Sequence, residues 1–184
     1  MDRKSLKAGI QKQLTNGIAR HEIYKDLVSQ GVSERHAAVM VSTAPEESRY
    51  KENISTVYML VGIYSAALIL VSFYIFSHPG DFSVSPEFLV GLISFLLLPF
   101  IYGLLKNRLW SYQFLIWLYS FQIMYLIYAM VMYFHEYTFF AFIAHSIILF
   151  MVLAARDGNY PYVDSFGPKC EQNKYLVTLE PEES

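Results

Sequence analysis

The sequence has a single cysteine, few charged residues and no early apolar segment, and each shortage excludes a class of protein. With Cys170 as the only cysteine, no intrachain disulfide can form. Charged residues make up 16% of the chain, well below the roughly 25% of an average soluble domain. The net charge of −2 argues against nucleic-acid binding, which uses basic surfaces. The first 53 residues lack the apolar core of a secretory signal, so we expect the first apolar helix to be retained.

Hydrophobic residues are abundant instead, at 54% of the chain. They are concentrated in four stretches that contain no Asp, Glu, Lys or Arg: 54–80, 88–105, 109–135 and 137–155. A helix needs about 18 or more apolar residues to cross a hydrocarbon core of about 30 Å. The sequence therefore predicts an all-α polytopic membrane protein with a four-transmembrane-helix bundle in residues 57–155. The helices are expected at about 57–76, 88–105, 110–133 and 137–155.

The basic residues predict the orientation of these helices, because Lys and Arg near helix ends stay on the cytoplasmic side of a membrane. Nine of the 14 Lys and Arg precede the first helix, two lie between the second and third helices, and three lie in the tail. The other two loops contain only acidic charges, from Asp81, Glu87 and Glu136. We therefore expect a multi-pass protein of the cell inner (plasma) membrane with both ends in the cytoplasm.

Residues 1–44 are predicted to form a small cytoplasmic module of three helices. Apolar residues recur at helical spacing, and Gly17 and Gly31 interrupt the pattern at natural stops. Ser33 is a suitable cap for the third helix. Two interpretations remain open: a helical cap on the cytoplasmic face of the bundle, or a docking site for another protein.

Two further segments flank the predicted membrane helices. Residues 45–56 are expected to form a juxtamembrane helix that leads into the first span, because Pro45 suits the first turn of a helix. Residues 156–184 are polar and contain several turn-forming pairs, which predicts an irregular cytoplasmic tail lying on the module.

Each predicted membrane helix carries one uncharged polar residue at about the same depth: Ser65, Ser94, Gln122 and His145. Such groups turn inward in lipid and hydrogen-bond across helices, at about 0.6 kcal/mol each. The sequence therefore predicts an intramembrane polar layer. The layer either holds the bundle together or forms a site for an ion, a lipid head group or a toxin helix. His145 is the best functional candidate, because only an imidazole changes charge near neutral pH.

Small residues and a proline predict how the helices pack. Gly62 and Ala66 form a small-x-x-x-small pair on the first membrane helix, which predicts a close helix contact within the bundle or between copies of the chain. Gly91 and Gly103 allow the same on the second helix. Pro99 removes a backbone donor from that helix and is expected to kink it.

No catalytic motif, cofactor fingerprint or metal-ligand cluster is recognisable in the sequence. We therefore expect no enzyme activity, no cofactor and no metal. The residues best suited to ligate a metal, His78, His135 and Cys170, are predicted on opposite sides of the membrane.

In size, helix count and short outer loops, residues 54–155 resemble the four-helix immunity proteins that protect bacteria from pore-forming toxins. The resemblance implies a non-enzymatic protein that lies among membrane lipids and binds a protein partner, either a toxin or a complex subunit, within the bilayer. Association of identical copies is left open. The alternative is a small channel or transporter subunit with a polar midplane site. The absence of charge in the spans argues against it, because ion-coupled carriers usually place ionisable groups there.

The predicted orientation can be tested with reporter fusions. Fusions after Lys106 and at the carboxyl end should report a cytoplasmic position, and fusions in the loops of Asp81 and Glu136 should report an external one. Paired phosphatase and fluorescent-protein reporters measure both. A cytoplasmic reading at Asp81 would contradict the topology.

Overall fold

The computed structural model describes residues 3–81, 83–133, 136–164, 167–171 and 174–178, and most of them are α-helical. The first four helices are α1 (Arg3–Thr15), α2 (Arg20–Ser29), α3 (Glu34–Ser42) and α4 (Glu47–Glu52). Four long helices follow: α5 (Ile54–Ser77), α6 (Pro86–Leu105), α7 (Leu109–Met132) and α8 (Glu136–Asn159). Two 3-10 helices (Pro79–Asp81 and Leu176–Thr178) and an antiparallel ribbon of β1 (Cys170–Glu171) and β2 (Lys174–Tyr175) complete the described elements. The all-α prediction is confirmed.

The chain divides into two compact units. Residues Met1–Asn53 and Arg156–Ser184 form one, which we call the terminal unit because both ends of the chain build it. Residues Ile54–Ala155 form the other, which we call the four-helix unit.

The terminal unit has a hydrophobic core of its own, and the tail takes part in it. Ile23 and Leu27 lie on one stripe of α2 and pack with Ile10 of α1 and Val41 of α3. Val177, in the tail, is only 2% exposed and belongs to the same core. A module of about 40 residues is at the limit of independent folding, so an apolar side chain from the tail adds to a core that is otherwise small.

Two helix starts in the terminal unit differ from the expectations. Ser33 occupies the N-cap position of α3 with extended backbone, but its side chain makes no capping hydrogen bond. The fourth helix begins at Glu47 rather than Pro45. It does not run unbroken into the long helix that follows, because the chain leaves helical geometry at Asn53, where the side-chain amide donates to the Arg49 carbonyl at 2.9 Å.

In the four-helix unit, a tight turn brings the end of α6 against the start of α7. Asn107 adopts a φ of 46°, a left-handed conformation that Asn tolerates better than most residues. Arg108 donates its backbone N–H to the Gly103 carbonyl at 2.8 Å. A Cβ on Gly103 would lie 1.8 Å from Ser111 Oγ, so only glycine fits there.

All four long helices are long and apolar enough to cross a membrane. In the most apolar window of each helix, only 17%, 11%, 17% and 11% of the residues are buried. Most of the apolar side chains therefore lie on the surface. Soluble proteins rarely expose apolar patches larger than several hundred Å², so this surface is consistent with a multi-pass membrane protein.

Gly103→Ala should lower the free energy of unfolding by about 1–3 kcal/mol, because the new methyl group overpacks the contact with Ser111 and Trp110. Gly91→Ala is the matched control: a Cβ there meets nothing within 4 Å, so it should leave the free energy of unfolding unchanged or raise it by up to about 1 kcal/mol, as Ala favours a helix interior over Gly. Unfolding by dodecyl sulfate in mixed micelles measures both. Equal effects of the two substitutions would show that the close approach of α6 and α7 is wrong.

Candidate functional site

The four residues of the predicted polar layer make few contacts that the structure records. Ser65 and Ser94 are partly buried. Within the described part of the chain, no hydrogen bond joins any two of Ser65, Ser94, Gln122 and His145. His145 bonds within its own helix, where Nδ1 lies 2.8 Å from the Ala141 carbonyl oxygen. A single hydrogen-bonded layer therefore stays a prediction, and the observed contacts group these residues differently.

Two tyrosines join α5, α7 and α8 through side-chain rings. Tyr64 and Tyr119 are 6% and 8% exposed, and their ring centroids are 6.4 Å apart. The Tyr119 ring lies 5.5 Å from the ring of His145. Gln122 follows Tyr119 by three residues on α7, which places it on the same helix face. We call Tyr64, Tyr119, Gln122 and His145 the polar cluster.

The polar cluster contains two buried polar atoms, Tyr64 Oη and Gln122 Oε1, that have no hydrogen-bond partner among the described residues. The hydroxyls of Tyr64 and Tyr119 are near enough to interact, but their geometry does not satisfy the Tyr64 oxygen. A buried polar group without a partner costs about 1–3 kcal/mol. The cluster therefore has unused capacity for a hydrogen-bonding partner.

The recorded hydrogen bond of His145 fixes the role of one ring nitrogen. A carbonyl oxygen only accepts, so Nδ1 is the donor toward Ala141. The polar cluster thus combines two hydroxyls, an amide and an imidazole. All of these groups can form hydrogen bonds with a bound partner.

Tyr64 and Tyr119 were missed by sequence reasoning because tyrosine is common in membrane-interface belts, so their hydroxyls gave no distinct signal. Ser65, which the sequence indicated, is the next residue after Tyr64 and lies about 100° further around α5. The spacing of Tyr119 and Gln122 was the one available indication.

The predicted small-residue contact on α5 is not made inside the described part of the chain. Gly62 and Ala66 are both exposed, and a Cβ on Gly62 would meet nothing within 4 Å. Of the two interpretations given above, contact within the bundle is therefore not observed for the described residues, and contact between copies of the chain remains. The other helix-shape residue, Pro99, lies inside α6, which continues beyond it to Leu105.

The terminal unit contains a buried charge that the sequence did not reveal. Arg20 is 7% exposed. Its guanidinium donates to the carbonyl oxygens of Val41 and of Ala44, the latter at 3.0 Å. It also pairs with Glu46 at 3.3 Å and lies 5.4 Å from the ring centroid of Tyr162. One side chain thus links α2 to the end of α3, the start of α4 and the tail.

Burial and neighbouring charges shift the pKa values of both members of this pair. Burial lowers the pKa of the Arg20 guanidinium, although the negative charge of Glu46 opposes the shift. Burial by itself would raise the pKa of Glu46, but a hydrogen bond from Ser48 and the charges of Arg20 and Arg49 outweigh it and lower the pKa. Each charge of the pair thus offsets part of the cost of burying the other.

Among the residues that the structure describes, no group of three or more His, Cys, Asp or Glu side chains could hold a metal ion. His135, one of the residues considered from the sequence, lies outside them.

Comparison of the chain with protein-family models, with curated proteins and with solved structures finds no match.

The unsatisfied hydroxyl of Tyr64 gives a stability prediction. Tyr64→Phe should raise the free energy of unfolding by about 1 kcal/mol, because it removes a buried polar atom without a partner and keeps the ring. Tyr58→Phe, at a position 56% exposed, is the control and should change it by less than about 0.5 kcal/mol. Destabilisation by Tyr64→Phe in a detergent unfolding titration would mean that the hydroxyl has a bound partner.

Proposed function

We propose that the chain is an inner-membrane protein with both ends in the cytoplasm, and that it acts by binding another protein within the bilayer rather than by catalysis. The observation that carries this proposal is the open face of α5. Gly62 and Ala66 have the spacing with which membrane helices pack closely, yet both are exposed and Gly62 has open space around it. On this proposal, a helix from another chain packs against this face.

The short outer loops support recognition at membrane depth. Only residues 78–85 separate α5 from α6, and only 133–135 separate α7 from α8. Such segments are too small for a specific interface of about 800 Å² per partner. The uncharged spans leave close packing and hydrogen bonds as the means of recognition.

The specific form that we propose is protection against a membrane-targeting toxin. A toxin that is inserted in the membrane has to be bound within the membrane, and α5 provides a surface for close packing against it. The resemblance of residues 54–155 to four-helix immunity proteins in size and loop length agrees with this role. A subunit of a membrane complex is the other partner of the same kind.

A small channel or transporter subunit is the second candidate. Its support is the polar cluster, where Tyr64 Oη and Gln122 Oε1 are buried without partners in the described part of the chain. A transported species or a line of water would supply the missing hydrogen bonds. The uncharged spans favour the binding function over this one.

Photo-crosslinking at Ala66 tests the binding function in cells of the native host. We expect a specific protein adduct that Gly62→Ile abolishes, because a bulky side chain blocks close approach of a partner helix. Gly91→Ile is the matched control: Gly91 is equally open, so both variants should fold and Gly91→Ile should keep the adduct.

Two results would contradict this proposal. One is an adduct with lipid alone, or a protein adduct that Gly62→Ile leaves unchanged. The other is selective ion or solute flux by the pure protein in liposomes that Gln122→Leu or His145→Ala abolishes, which would favour the channel.

A further inference from the structure

We propose that the terminal unit binds a phosphate group in a cavity beside Arg20. The cavity has a volume of about 230 Å³. It lies where the end of α1, the starts of α2 and α4, and the tail come together. Pockets for drug-sized molecules begin at about 300 Å³, so this one suits a small anion or a single head group.

Five charged or titratable side chains line the cavity: Arg20, His21, Glu46, Arg49 and Tyr162. Both oxygens of the Glu46 carboxylate are already occupied. Oε1 accepts from Ser48 at 3.0 Å, and Oε2 accepts from Arg20 at 3.3 Å and from Arg49 at 3.1 Å. Two guanidinium groups thus face one carboxylate, and the cavity retains an excess positive charge.

Several donors at the cavity have no acceptor among the described residues. Arg49 uses only Nε toward Glu46, and its terminal nitrogens form no hydrogen bond there. Arg20 is 93% buried, and its Nε also lacks a partner. Of the two guanidinium groups, that of Arg49 therefore has more donors left for a bound anion.

The start of α2 adds backbone donors to the same cavity. Its N-cap residue is Ala19, which provides no side-chain acceptor. The first N–H groups of the ten-residue helix, those of Arg20 and His21, therefore have no cap. Ala19, Arg20 and His21 all line the cavity, so the positive end of the helix reinforces the arginines.

Phosphate is the ligand chemistry that fits this arrangement. Its three terminal oxygens can accept from a guanidinium and from backbone N–H groups at once, and its charge matches the excess. The phosphate could come from a lipid head group or from a free phosphate compound. Arg49 precedes α5 by five residues in the chain. If α5 crosses the membrane, a lipid head group is therefore one possible source of the phosphate.

The full chain in a detergent without phosphate is titrated with inorganic phosphate, followed by ³¹P line broadening. We expect saturable binding that Arg49→Gln weakens at least about tenfold, as expected for loss of a charged hydrogen-bond donor. Lys51→Gln removes the same charge from α4, at an exposed residue paired with Glu47 at 2.9 Å. It should change the affinity less than about twofold.

Ala19→Asp is a second test that does not depend on whether Arg49→Gln folds correctly. An aspartate at the N-cap should stabilise α2 while placing a competing carboxylate in the cavity. We expect a higher melting temperature together with weaker phosphate binding. A higher melting temperature with unchanged phosphate binding would show that phosphate binds elsewhere on the chain, which would overturn the proposal.

Nanodiscs distinguish the two sources. If lipid supplies the phosphate, phosphatidic acid added to a phosphatidylcholine disc should raise the melting temperature, and Arg49→Gln should remove the rise. If only free phosphate binds, the titration responds and the lipid does not. No saturable binding in either arm, or equal losses in Arg49→Gln and Lys51→Gln, would overturn the proposal.

Discussion

Backbone hydrogen bonding is the constraint on which the rest of this structure depends. A segment in hydrocarbon must satisfy its N–H and C=O groups internally, because no water is present to do so. The four long helices meet this requirement along 54–77, 86–105, 109–132 and 136–159. Because long stretches of these helices are uncharged, all 14 Lys and Arg lie before α5, between α6 and α7, or from Arg156 onward. The terminal unit is built from those charged ends.

The two units handle polar groups in different ways. In the terminal unit, Arg20 is buried but bonded to two carbonyl oxygens and a carboxylate, so a charge serves to hold separate segments together. In the four-helix unit, Tyr64 and Gln122 keep buried oxygens without partners in the described part of the chain. The first arrangement leaves excess positive charge, and the second leaves neutral hydrogen-bonding capacity. The excess positive charge leads to the proposed phosphate site. The proposed protein-binding surface rests instead on the open face of α5.

Periodicity and charge predicted the helices better than the contacts between them. An apolar stretch shows that a helix forms and where it ends to within a few residues, although α8 continues to Asn159 past the expected 155. Contacts between distant segments leave no such pattern. Arg20 pairs with Glu46, which comes 26 residues later in the chain, and contacts Tyr162, which comes after the four-helix unit in the sequence. Val177 likewise joins a core formed by the first 41 residues. The polar layer stays a prediction, because shared depth does not determine which way a side chain points.

Hydrogen–deuterium exchange of the full chain in lipid nanodiscs tests the central claim most directly, since it reports backbone protection over minutes to hours. We expect the interiors of α5, α6, α7 and α8 to stay protected for hours, and the tail around Val177 to be protected together with α2 and α3. Rapid exchange throughout any one of the four long helices would contradict a four-span protein. Rapid exchange of the tail, with α2 and α3 still protected, would contradict a terminal unit built from both ends of the chain.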